Sequence, residues 1–169
     1  KTANYFASLG IRKGDFVMLI LKRHYQFWFS IVALHKLGAI VIPATHLLTK
    51  KDIVYRCNSA DIKAIVATGD GEVTEHIDAA LPDCPTLEHR IFVRAAESGE
   101  MPEGWLDFNT EIEKQSAELP RPTGDAATHN TDPMLLYFTS GTTGQPKMVV
   151  HNFTYPLAHI LTAKFWHNL

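Results

Sequence analysis

Phe16-Val-Met-Leu-Ile-Leu21, Tyr25-Gln-Phe-Trp-Phe-Ser-Ile-Val-Ala-Leu-His-Lys-Leu37 and Ala39-Ile-Val-Ile-Pro43 follow one another with only short gaps. The first is a continuous apolar run of strand length, the pattern of a strand buried on both faces. The second is too long for a strand and stops at Gly38, which reads as a helix ended by glycine. The third is a strand again. Strand, helix and strand at this spacing make a βαβ unit, which implies a parallel pair joined by a right-handed crossover. In the helix, Tyr25, Phe27, Trp28, Phe29, Ile31, Val32, Leu34 and Leu37 go nearly all the way round. The expectation is a helix buried on several sides, its aromatics serving as core rather than as a ligand box.

The same alternation continues outward. Lys1 to Leu9 is helical in pattern with a stop at Gly10, and Lys13-Gly14-Asp15 is a turn. Thr49 to about Ser59 is a helix with Thr49 and Asp52 spaced as a capping box. Lys63 to Thr68 is a strand, Gly69-Asp-Gly71 a plain turn, Glu72 to Leu81 a helix and Arg90 to Val93 a strand. Ala95 to Gly104 reads as a surface loop. Trp105-Leu-Asp-Phe108 packs back on the core, and Thr110 to about Gln115 is a short helix. The expected fold is α/β, doubly wound, with a largely parallel sheet and flanking helices. Residues 1–118 form the βα-repeat portion, 119–133 a Pro- and Gly-bearing connector, and 134–169 a hairpin loop with a following helix, all within one domain. That last helix, Phe153 to Leu169, has Thr154 as N-cap, Pro156 in its first turn and an apolar stripe of Leu157, Ile160, Leu161 and Phe165.

Of the 169 residues, 46% are hydrophobic and 20% charged, with a net charge of −2. This is the composition of a globular chain with a real core. Lys22-Arg23 and Lys50-Lys51 are isolated basic pairs, too little for a nucleic-acid footprint. Cys57 and Cys84 lack metal spacing and read as reduced thiols of a cytoplasmic protein. No apolar run approaches the roughly 18 residues of a membrane span. His46, His76, His89 and His129 read as surface or loop residues. None of the nine histidines forms H-x-x-x-H or pairs with a cysteine at zinc spacing, so no metal site is expected. The chain opens at Lys1 inside a helical pattern, as a piece of a longer protein would.

Chemistry concentrates in Tyr137-Phe-Thr-Ser-Gly-Thr-Thr-Gly-Gln-Pro-Lys147. An apolar run, Met134 to Phe138, enters a loop with hydroxyls at Thr139, Ser140, Thr142 and Thr143 and glycines at Gly141 and Gly144. Gln145 and Pro146 lead out to the cation of Lys147. Glycines let backbone N–H groups approach an oxyanion, hydroxyls add rotatable donors and lysine adds a point charge. The pattern departs from G-x-x-x-x-G-K-[ST], because Pro146 precedes the lysine and Met148 follows it. Met148-Val-Val150 is strand-like, so the loop joins two strands as a hairpin. His151, just beyond, either lines the site or faces solvent.

Thr139-Ser-Gly-Thr-Thr-Gly-Gln-Pro-Lys147 resembles the phosphate-binding signature of the AMP-forming, adenylate-forming enzymes: acyl-CoA synthetases, luciferases and the adenylation domains of peptide synthetases. Leu34-His-Lys-Leu-Gly-Ala-Ile-Val-Ile-Pro43 resembles their upstream core motif, and the resemblance covers nearly the whole chain. Many members have glycine where this chain has Met148; Met148 with His151 looks most like the medium-chain acyl-CoA synthetase branch. The resemblance implies a ligase. A short- to medium-chain carboxylic acid attacks the α-phosphate of Mg-ATP, pyrophosphate leaves, and coenzyme A displaces AMP. It implies that Thr139, Ser140, Gly141, Thr142, Thr143, Gly144, Gln145, Pro146 and Lys147 contact the ATP phosphates. It assigns no catalytic residue within these 169 residues. Adenine, ribose, Mg2+ and acyl contacts come from later motifs, so the isolated chain is expected to be inactive, and its bare helix either to pair with another copy of the chain or to change its docking. An amino-acid adenylation domain and a non-catalytic domain binding a phosphate ligand or a protein partner are the alternatives.

Overall fold

The computed structural model describes residues 1–94, 99–141 and 144–167. In chain order the elements are α1 (Thr2–Ser8), β1 (Phe16–Ile20), α2 (Gln26–Leu37), β2 (Ile40–Pro43), α3 (Lys50–Ala60), β3 (Ala64–Ala67), α4 (Val73–Ala80) and β4 (His89–Phe92). Then come β5 (Leu106–Asp107), α5 (Phe108–Glu113), β6 (Pro133–Thr139), β7 (Lys147–Asn152) and α6 (Tyr155–Phe165). The strands form one sheet in the order β5-β4-β3-β1-β2-β6-β7. Every neighbouring pair is parallel except β6 and β7, which are antiparallel.

The winding follows from β1. The chain leaves β1 for β2 on one side, then crosses back to β3 on the other. Right-handed crossovers in opposite directions put the connecting helices on opposite faces. The side chains of β1 obey the strand period of two. Val17 and Leu19 join the cluster of Tyr5, Phe6 and Leu34 from α1 and α2. Met18 and Ile20 join that of Ile53, Cys57, Ile77 and Ala80 from α3 and α4. A run apolar at every position is therefore what a strand covered on both faces requires.

The helix ends carry local reasons. At the start of α3, the Thr49 N–H donates to Asp52 Oδ2 at 3.0 Å, as the box pattern requires, and the Thr49 hydroxyl donates to the same oxygen at 2.7 Å. α2 ends at Gly38 with φ 73°, and a Cβ there would come within 2.9 Å of the Lys13 side chain. Both the left-handed turn and the close approach ask for glycine.

Three expectations are corrected. The first concerns α2. Tyr25, Trp28, Phe29 and Val32 are exposed, Trp28 to 66%. The face turned to the sheet carries Gln26, Ser30, Ala33 and Leu34 instead. One helix side meets the sheet and α1, and small side chains let the backbone approach there, while Tyr25, Trp28 and Phe29 lie outward and Phe27 packs at the edge of the core. The second concerns His89, which is a β4 residue whose Nε2 lies 2.9 Å from the Leu9 carbonyl oxygen, not a loop residue. The third concerns the short helix, which begins at Phe108 because the Asp107 carboxylate caps it by accepting from the Thr110 N–H at 3.0 Å. Trp105 and Phe108 are buried as expected, and Leu106–Asp107 adds a short parallel edge strand. The surface loop expected at 95–104 lies partly outside the described residues.

Cys57 and Cys84 are free and buried. Burial raises both thiol pKa values, so neither is a ready nucleophile. No helix is long and apolar enough to cross a membrane among the described residues.

Candidate functional site

Because β6 runs parallel to β2, its end at Thr139 lies at the same edge as the carboxyl ends of β1 to β4. That edge is where open α/β sheets bind ligands. β7 returns antiparallel with Phe138 opposite Met148 and Thr139 opposite Lys147. The Thr139 hydroxyl donates across the hairpin to the Lys147 carbonyl oxygen at 3.4 Å. The described residues between them, 140–141 and 144–146, lie in the loop expected from the sequence.

The loop turns back on itself at Gly141. A Cβ at this position would lie 2.0 Å from the Gln145 carbonyl oxygen and 3.5 Å from Lys147 Cγ. Gly144 has φ 88°, a left-handed conformation natural to glycine. Thr139, Ser140, Gly144, Gln145 and Lys147 are exposed, while Gly141 and Pro146 are half-buried. Thr142 and Thr143 lie outside the described residues. Hydroxyls, loop backbone and lysine are thus brought together on the open edge of the sheet. This donor set suits an anion.

Two neighbours of the loop carried no local signal in the sequence. Tyr55 on α3 donates its hydroxyl to the Pro146 carbonyl at 2.8 Å, and its ring meets Phe138 edge-on at 6.2 Å. The Arg56 guanidinium lies 5.1 Å from the centre of the same Phe138 ring. Burial lowers the pKa of Arg56, and the charge of Asp52 works against that shift. A cleft of about 570 Å³ opens beside this contact, lined by Lys50, Lys51, Tyr55, Gln145 and Pro146 among others.

A second cluster lies on the same edge between β1 and β3, where the strand order reverses. Asp70, in what read as a plain turn, is 9% exposed. It accepts from the Thr68 hydroxyl at 2.5 Å, contacts His24 Nε2 at 2.7 Å and has Lys22 Nζ at 3.6 Å. Burial alone would raise its pKa. The hydrogen bonds from Thr68 and His24 and the charges of His24 and Lys22 outweigh burial and hold the carboxyl below its usual range. The flanking glycines hid this acid, because two of its partners, Lys22 and His24, follow the end of another strand.

His151 is half-buried on β7, away from the loop. It pairs with Leu135, four residues along β7 from Lys147, which places it about 13 Å from the loop exit. There it packs between Tyr155, at 4.0 Å, and Tyr137, at 5.7 Å.

The chain matches the AMP-binding enzyme family over residues 1–168. It belongs to that family. Among curated relatives, it is 39% identical over 153 residues to the rat (Rattus norvegicus) acyl-coenzyme A synthetase ACSM5, mitochondrial, covering 90% of this chain and 25% of that protein. It is 38% identical over 153 residues to the human (Homo sapiens) acyl-coenzyme A synthetase ACSM1, mitochondrial, with the same two shares, 90% and 25%. The structure of the anthranilate CoA ligase AuaEII in complex with anthranoyl-AMP superposes with a TM-score of 0.82 at 28% identity, over 98% of this chain and 29% of that one. The chain therefore spans about a quarter of the length of the curated AMP-binding relatives it matches. The branch suggested by Met148 and His151 agrees with these matches.

The family's description implies a nucleotide ligand. The Gly141 close approach, the exposed hydroxyls and Lys147 fit phosphate oxygens. No group of three or more His, Cys, Asp or Glu residues at metal-binding distance occurs among the described residues.

Proposed function

We propose that the chain supplies the phosphate-binding part of an AMP-forming acid–coenzyme A ligase. In the full-length enzyme a carboxylate oxygen attacks the α-phosphorus of ATP, and the bond to the pyrophosphate oxygen breaks. The thiol sulfur of coenzyme A then bonds to the acyl carbon, and AMP leaves. The observation that carries this reading is the hairpin loop at the carboxyl edge of the sheet, closed so tightly that no side chain fits at Gly141. The relatives' names support an acyl-CoA product, and a short- to medium-chain fatty acid is the substrate class we favour.

The roles follow from the donors. Backbone N–H groups of Ser140, Gly141, Gly144 and Gln145 and the hydroxyls of Thr139, Ser140, Thr142 and Thr143 hold the β- and γ-phosphates. Lys147 balances the charge that builds on the departing pyrophosphate. Pro146 stiffens the exit. Donors held in place before reaction cost no reorganisation as that charge develops, and holding the polyanion in line with the acid supplies the orientation. Mg2+ bound to the phosphates would neutralise part of their charge. We also propose that residues 1–118, 119–133 and 134–169 act as portions of one domain. Two buried free thiols fit a reducing compartment; the cytoplasm is our reading for this chain, although the named relatives are mitochondrial.

Acid-dependent exchange of labelled pyrophosphate into ATP tests the reading in the full-length enzyme. Fatty acids of short to medium chain should support exchange and amino acids should not. Exchange with none of a broad panel of acids overturns it.

A further inference from the structure

Helix α3 is distant from the loop in sequence and touches both of its arms in space. On the entering arm, Phe138 meets the Tyr55 ring edge-on and the Arg56 guanidinium from above. On the leaving arm, the Tyr55 hydroxyl donates to the Pro146 carbonyl at 2.8 Å, across 91 residues of sequence. We propose that Tyr55 is a positioning residue for the adenylation step. Its hydrogen bond sets the direction in which the chain leaves the loop, and with it the place of Lys147.

Pro146 has no N–H of its own to anchor it. Its carbonyl is the last backbone acceptor before Lys147 enters the β7 ladder. Among the described residues, this bond is the only hydrogen bond from α3 to the loop. The donor in turn sits on a fixed base. The Thr49–Asp52 pair holds the start of α3, and Ile53 and Cys57 are fully buried against the sheet. Arg56 is held within α3, its Nη1 donating to the Asp52 carbonyl at 3.1 Å, so the cation stays over Phe138. The cleft beside Gln145 and Pro146 leaves the loop's flank open. Contact through packing is therefore sparse there, and a directional bond has more to do.

The inference rests on the reading of this loop as the phosphate cradle, and the experiment separates the two. In the full-length enzyme, Tyr55→Phe keeps the ring against Phe138 and deletes only the donor. The expected result is a fall in kcat for acid-dependent pyrophosphate exchange of about tenfold, within the range that small misplacements of reacting groups produce. KM for ATP should rise, while KM for the acid and the thermal midpoint stay put. Combined with Lys147→Ala, the loss should be smaller than the product of the two single losses, because both act through one element. Wild-type kcat and KM for ATP in the Phe variant overturn the inference while the functional reading stands. A loss that merely tracks a lowered thermal midpoint, or full multiplicativity with Lys147→Ala, also overturns it. Absence of exchange in the wild-type enzyme overturns both.

Discussion

Gly141→Ala is the sharpest test of the loop geometry. The added methyl would sit 2.0 Å from the Gln145 carbonyl oxygen, where real Cβ contacts essentially never fall under 3.0 Å. The atom in the way is backbone, so no rotamer change relieves the clash. Gln145 is followed by Pro146, whose φ is fixed by its ring and whose carbonyl is tied to Tyr55. The strain must therefore open the loop by at least about 1 Å, and a displacement of that size at groups that orient a reacting substrate costs up to about a hundredfold in rate. Stability should hardly change, since the loop is largely exposed and adds little to the core. Pyrophosphate exchange on the full-length enzyme and a thermal melt of the same sample make the measurement. The expected outcome is a kcat/KM for ATP lowered by about a hundredfold at an unchanged midpoint. A variant with wild-type kcat/KM would show that the close approach of Gly141 to Gln145 is irrelevant to nucleotide binding.

Three further outcomes are expected. Lys147→Ala should cut adenylation by at least about tenfold, as loss of a preorganised charge does, and leave the far-UV circular dichroism unchanged; equal activity would remove Lys147 from the mechanism. Asp70→Asn should destabilise the fold by about 1–3 kcal/mol, the cost of weakening buried charge-assisted hydrogen bonds. Because the Asp70 carboxyl is held below its usual range, its contribution is in full force above the unfolded value near pH 4 and fades as pH falls through the lower folded value; a variant whose acid unfolding matches wild type refutes this. The isolated 169-residue chain should self-associate through α6, where Leu157, Ile160, Leu161 and Phe165 are exposed, each worth about 1.5–3 kcal/mol on full burial. Light scattering should show the association lost in an Ile160→Lys, Phe165→Glu variant, and a monomeric wild-type chain counts against it.

What was legible in the sequence divides by the range of the interactions involved. β1, β2 and β3 were readable because burial on both faces demands apolar side chains at every position, a condition each strand states within its own few residues. The hairpin was readable for a similar reason, since Pro146 and the apolar run after Lys147 leave a helix no place to start. The capping box of Thr49 and Asp52 is local by construction. α2 was misread because apolar character records a preference for burial, while burial itself depends on how many surfaces reach the helix. Only one side of α2 meets the sheet and α1, and Ser30 and Ala33 allow the approach there. The contacts around the site fail the local test altogether. Tyr55 reaches Pro146 across 91 residues and His24 reaches Asp70 across 46, distances over which no spacing rule operates. Both nevertheless end at the carboxyl edge of one parallel sheet, so the winding that local patterns do reveal already names the loops that must meet. The residues missed were those whose roles are set by that meeting. The phosphate loop itself could be found early because its chemistry, unlike its support, is written in a single stretch.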